Sequence, residues 1–182
     1  MIVLLMMYFH LMMNMKNEAS LKLRRCVMNV ALVRVSVDDT EKIWAMQIKA
    51  FQNLLEKYQD FETSPANETK EKIKTKLLQE YTFFYYIYKD GDIVGAVRVI
   101  DRRDGSRKRI APVFIMEEFR NKGIAQRAFC EIERIHGKDR WELDTIFQEK
   151  GNCYLYEKLG YNKTGEIERI NDRMDIVHYI KN

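Results

Sequence analysis

Arg120, Gly123 and Ala125 fall at the first, fourth and sixth places of the run Arg-Asn-Lys-Gly-Ile-Ala, residues 120–125, and those types at that spacing suit one task. They can hold an anionic phosphate against the main chain. Upstream, residues 110–116 form a short apolar run of the length and β-branched content of a buried strand. Downstream, Ile124, Ala128, Ile132 and Ile135 recur at helical spacing with Arg127, Glu131 and Arg134 opposite, which predicts a helix with one buried face. The first turn of a helix leaves four N–H groups without intrahelical partners and carries about half a positive charge, so it attracts an anion. Gly123 removes a β-carbon where a ligand must approach the backbone, Ala125 is nearly as small, Asn121 and Ile124 offer amides, and Arg120 and Lys122 can add charge-assisted contacts. The hexapeptide alone fits equally well a turn eased by glycine between two solvated cations.

A second constellation breaks the tie: Asn152, Tyr156, Gly160 and Tyr161 within a short helical stretch. Together the two segments resemble the GNAT superfamily of acyl-CoA N-acyltransferases. Its pyrophosphate loop reads Arg or Gln, two free positions, Gly, one free position, then Gly or Ala, and a later stretch reads Asn, a helix bearing Tyr, then Gly followed by Phe or Tyr. All these fixed positions are met here, and the resemblance covers about the last 150 residues. One departure is that members often carry Pro three residues before the Arg, where this chain has Glu117.

The resemblance implies an α/β fold with a central mixed, mostly antiparallel twisted sheet of about seven strands flanked by about four helices. It implies an acetyl-CoA-dependent N-acetyltransferase, with acetyl-CoA as cosubstrate and no metal, passing an acetyl group to a primary amine of a small molecule or protein by direct attack in a ternary complex. A non-catalytic acyl-CoA-binding regulatory module of the same fold is the alternative. By position, Val113 and Ile115 would grip the pantetheine arm and thioester carbonyl through backbone N–H and C=O groups, and a preorganised donor of that kind is worth ~3 kcal/mol in a transition state. Tyr156 would lie near the sulfur. A phenol titrates near 10 and a thiol near 8.5, so Tyr156 stays protonated at neutral pH and can act as general acid to the departing thiolate; the competing reading is an aromatic that packs its helix on the sheet. Asn152 caps that helix, hydrogen-bonds the pantetheine amides, or does both. Gly160 lets the chain reverse after the helix. For the base that deprotonates the acceptor, Glu142, Asp144, Glu117, Glu118 and a water chain stay open.

These groups need a scaffold, and the pattern supplies one. Residues 31–37 read as a strand ending at the helix-start signal Asp38-Asp39-Thr40, followed by a helix over 41–55 and a second over 68–79. Residues 81–88, 93–100 and 110–116 read as a three-stranded meander, 141–146 as a fifth strand, and 161–168 with 174–180 as a terminal antiparallel pair. The acceptor groove would be built from the first two helices and the terminal pair, with Trp44, Phe51, Tyr85 and Trp141 as candidate lining or as core.

At 182 residues the chain suits one compact domain, assigned to residues 29–182 after an N-terminal extension of residues 1–28. Net charge is +4, but Lys16, Lys22, Arg24 and Arg25 against Glu18 put +3 of it in the extension, so the body is nearly neutral and nucleic acid is a poor default partner. Arg102, Arg103, Arg107, Lys108 and Arg109 cluster around Gly105, read first as a solvated hairpin tip and second as a dock for an anionic substrate or the coenzyme's phosphate. The three cysteines and three histidines show no metal-ligand spacing or disulfide framework, and Cys130 and Cys153 read as core or boundary residues in a reducing cytoplasm. Residues 1–13 are apolar apart from His10, at roughly 20 Å of helix too short for a bilayer core. A leader before a second start at Met28 is the favoured reading of the extension, and membrane contact through residues 1–25 is the rival. Family habit alone is compatible with a homodimer.

Overall fold

The computed structural model describes residues 30–182, so the readings of residues 1–28 lie outside the described residues. Seven strands make one sheet in the order β1-β2-β3-β4-β5-β7-β6. They are β1 (Val30–Arg34), β2 (Thr82–Lys89), β3 (Asp92–Ile100), β4 (Lys108–Ile115), β5 (Trp141–Ile146), β6 (Asn162–Asn171) and β7 (Met174–Lys181). Neighbours run antiparallel except β4 and β5, which are parallel. Four helices flank the sheet: α1 (Thr40–Tyr58), α2 (Lys70–Leu78), α3 (Ile124–His136) and α4 (Lys150–Lys158).

Both faces of the sheet are covered, which explains why β2 and β3 read as nearly continuous apolar runs. Phe84, Tyr86, Ala96 and Phe114 pack with Ile43, Ala50 and Ile73 from α1 and α2. Tyr85, Ile87, Val97 and Ile115 point the other way, to Ile124, Ala128, Phe129 and Ile132 of α3 and to Tyr156 and Tyr161. The pattern puts Ile135 on that buried face, yet it is 43 % exposed, while Phe129, outside the pattern, is fully buried.

Local chemistry also moves several boundaries. Residue 37 leaves the first strand for a 3-10 turn, Val37–Asp39, because the Asp39 carboxylate accepts from the Ser36 N–H and hydroxyl and closes the chain there. Helix α1 runs past residue 55 to Tyr58, where Gln59 takes a left-handed conformation and donates its N–H to Leu55 O. Helix α2 starts at Lys70, since the Thr69 hydroxyl accepts from Lys72 N–H and leaves Glu68 outside the helix. Helix α4 starts at Lys150 after Glu149, so Asn152 lies inside the first turn and caps nothing. It ends as foreseen: with Gly160 at φ 88°, Tyr161 N–H reaches Tyr156 O and Gly160 N–H reaches Glu157 O, a Schellman closure.

One feature of the sheet positions the site. Strands β4 and β5 pair only from Lys108 to Ile110 and from Trp141 to Leu143, then part. Pro112 has no N–H to give to β5, and Ala111 and Pro112 bulge against the single residue Arg98 of β3.

Candidate active site

The cleft between the parting strands meets a cavity on either side. Met116 N–H donates to Val94 O, so by antiparallel alternation the polar backbone of Val113 and Ile115 faces away from β3, toward the gap. One of those groups is already engaged, because Ile115 O accepts from Arg120 Nε at 3.0 Å.

Below the gap, Asn121 and Gly123 adopt left-handed φ values of 60° and 73°, and the chain turns into α3. Among the described residues none of the amides from Asn121 to Gln126 makes a backbone hydrogen bond; Arg127 N–H to Gly123 O is the first in the helix. Six consecutive donors at a helix N-terminus form a nest for an anion. The side chains behave differently from the expectation. Arg120 is a clamp, donating to Ile115 O and, at 3.1 Å, to Ala50 O, and so ties α1 to β4. Lys122 donates to Glu118 O and lies over the Phe119 ring, outside the cavity.

That cavity encloses about 430 Å³ between α1, the end of β4, the 120–126 turn and α4. Val113, Ile115, Arg120, Asn121, Gly123, Ile124, Ala125, Asn152 and Tyr156 line it, together with Gln126, Phe129 and Glu149, which sequence reasoning did not name. Glu149 accepts from Lys57 and from the Tyr58 hydroxyl, contacts that hold its carboxyl below the usual range against the opposing effect of burial.

A second cavity of about 430 Å³ lies on the far side of the gap, walled by the 60–68 loop, Lys76, β3 to β5 and the terminal strands. The two share Phe51, Leu54, Val113, Asn152 and Tyr156. Tyr156 thus stands at the junction, 6 % exposed and packed against Phe129, Tyr161 and Tyr179. Burial pushes its phenol up to about 12, with a hydrogen bond to Thr145 pulling the other way.

The Acetyltransferase (GNAT) domain family model matches residues 51–182, most of the chain. This chain belongs to the GNAT acetyltransferase family. Solved structures share the fold at low identity. The microcin C7 self-immunity acetyltransferase MccE, in complex with acetyl-CoA and AMP, is 16% identical with a TM-score of 0.64, covering 82% of this chain and 90% of its own. The PaiA N-acetyltransferase of Thermoplasma acidophilum, with coenzyme A, is 16% identical with a TM-score of 0.61 over 85% and 100%. The spermidine N-acetyltransferase of Vibrio cholerae, with CoA and spermine, is 16% identical with a TM-score of 0.65 over 82% and 93%. Curated proteins give no match by sequence.

Within this GNAT domain the four aromatics named as lining or core divide between those places. Of the four aromatics only Phe51 lines the second cavity. Trp44 donates its indole N–H to Glu68 O, Trp141 is core and donates to Gly137 O, and Tyr85 bonds His136 behind the sheet. The basic cluster is no uniform solvated tip: Arg109 pairs with Glu142 and Asp144 and lines the cavity, and Arg107 donates to Lys181 O. Cys153 is buried, while Cys130 is exposed on α3. Among the described residues no helix is long and apolar enough to cross a membrane.

Sequence reasoning missed His178 and Arg98. His178 sits across from Asp144 in the β5–β7 register, with Nδ1 2.6 Å from the Asp144 carboxylate and Nε2 3.9 Å from Glu168. A carboxylate can only accept, so Nδ1–H donates to Asp144, and Nε2 is turned toward Glu168 on the wall of the second cavity.

Proposed function

We propose that this chain is an acetyl-CoA-dependent N-acetyltransferase that moves the acetyl group directly to a primary amine of a small molecule or protein. The observation that carries the proposal is the meeting of two cavities at Tyr156: one reaches the amide nest, and the other is a chamber whose wall carries charged side chains. In this reading the amides from Asn121 to Gln126 take the coenzyme's diphosphate. The free amides of Val113 and Ile115 take the pantetheine arm and thioester carbonyl, and Asn152 bonds the pantetheine amides. Domain limits of 29–182, a cytoplasmic setting and a homodimer belong to the same reading.

The acceptor enters by the second cavity as an ammonium and gives one proton, through water, to His178, which stands beside the cavity-lining Asp144 and Glu168. Its freed lone pair attacks the thioester carbonyl; a C–N bond forms, and the oxyanion lies against the β4 amides. The C–S bond then breaks, and the leaving thiolate takes the Tyr156 proton. A second proton, from the acylated nitrogen, restores the phenol. His178 then releases its proton to solvent, so acetyl-CoA and the ammonium give CoA, an N-acetylated product and one proton, with the enzyme restored.

Calorimetry with acetyl-CoA, followed by a screen of amines for coenzyme A release, tests this. Binding and release with at least one amine are expected. Binding without release from any small amine or amino-terminal peptide would leave the acyl-CoA-binding module as the better account, and absence of binding would remove the coenzyme site.

A further inference from the structure

Arg98 is the buried cation of the second cavity, only 8 % exposed, and its charge is not matched. Its guanidinium donates to Ala111 O at 3.1 Å and, at the 3.5 Å limit, to the Thr82 hydroxyl, and its Nε–H has no partner among the described residues. Both acceptors are neutral. Arginine does not shed its proton in proteins, so an enclosed guanidinium with an orphaned donor calls for an anion.

The other charges around the chamber are spoken for. Asp60 accepts from the Thr63 and Glu62 amides and the Thr63 hydroxyl. Glu68 is held by Lys76 and Gln47, and Asp144 by Arg109 and His178. Glu168 is 62 % exposed at the rim, facing His178. Among the described residues no carboxylate comes within ion-pair distance of Arg98, although Glu68 attracts it from farther off. Arg98 is therefore, among the described residues, the cation of the chamber wall that has no carboxylate partner and keeps a donor without an acceptor.

Resting on the acetyltransferase reading above, we infer that the acceptor is an amine that also carries an anionic group, a carboxylate or a phosphate, which pairs with Arg98 while the amine points toward Tyr156. The bulge at Ala111 and Pro112 opens the wall of β4 beside that guanidinium, so the device that splays the strands also exposes the anion subsite.

Matched acceptors test this on the intact protein. Lysine is compared with cadaverine, and glucosamine 6-phosphate with glucosamine, by kcat/KM for coenzyme A release. The anion-bearing member of at least one pair is expected to lead by on the order of 10- to 100-fold, and which pair leads tells carboxylate from phosphate. In Arg98→Met that ratio should fall toward one, and in Arg98→Lys an intermediate ratio should survive, with calorimetric affinity for acetyl-CoA confirming an intact fold. If Arg98→Met does not fold, the wild-type ratios and the lysine variant still decide. Preference for cadaverine and glucosamine, or equal rates within both pairs, overturns the inference and leaves the acetyltransferase reading standing; failure to bind acetyl-CoA at all removes that reading itself.

Discussion

Burial makes the Tyr156 phenol a weaker acid, pushed up to about 12, whereas an ordinary thiol titrates near 8.5. Considered alone, that gap opposes proton transfer. The thiolate, however, forms in the same dry junction, where desolvation raises its own proton affinity, and the proton moves as the C–S bond breaks. Tyr156→Phe is expected to lower kcat by roughly 10²- to 10⁴-fold in steady-state assays while calorimetry finds acetyl-CoA binding unchanged. An unaltered kcat would reduce Tyr156 to packing among Phe129, Tyr161 and Tyr179. His178 separates from it by pH. Replacing His178 with Gln removes the acceptor for the ammonium proton, so kcat/KM should drop about 10²-fold near neutrality and recover at alkaline pH, where amines shed the proton unaided. A uniform loss at all pH values would mean that His178 only braces Asp144.

At the level of elements, the working parts depend on how closely β3 and β4 approach. Gly95 pairs with Ile115, and a Cβ at residue 95 would come within 2.2 Å of Phe114 O, a backbone atom that cannot swing aside. Gly95→Ala therefore must push β4 outward at the stretch bearing the free amides. A loss of about 1–3 kcal/mol in denaturant unfolding is expected, together with a raised KM for acetyl-CoA. Unchanged KM in a destabilised variant would show that the β4 amides do not grip the coenzyme. An isolated glycine inside a strand is a signal for such an approach, and it was open to sequence reading. The 120–125 turn and the start of α3 were legible because the controlling chemistry is local: side-chain size, left-handed turns and helix opening. The contacts of the two cations were less legible. Arg120 finds a partner at Ala50, seventy positions away, which no local pattern shows, whereas Lys122 turns back to the nearby Glu118. His178 meets Asp144 only because strands distant in sequence lie side by side, and Arg98 meets Ala111 across a bulge between consecutive strands that the strand pattern does not show.

On the scale of the whole molecule, the sheet separates two cores, and the core behind the site carries a titratable pin. His136, at the end of α3, has a side chain 3 % exposed; its Nδ1 lies 2.9 Å from the Asp101 carboxylate and its Nε2 2.9 Å from the Tyr85 hydroxyl. In the neutral ring both contacts are satisfied, Nδ1–H donating to Asp101 and Nε2 accepting from Tyr85. A helix, a central strand and the start of the β3–β4 turn are thereby joined through one imidazole. Burial lowers its pKa below the ordinary 6.5, more strongly than Asp101 raises it, while Lys108 and Arg103 lower it further. The unfolded chain thus takes up the proton first. Stability from this group is fully present above about pH 6.5 and is lost as pH falls through the lower folded value. Calorimetric melting followed from about pH 7.5 to pH 5, above the range where ordinary carboxylates titrate, should show Tm declining toward acid. In His136→Gln, Tm should be lower at neutrality and its decline over this interval shallower. An equally steep decline in that variant would assign the acid sensitivity to another group and leave His136 as a pin without a titrating role.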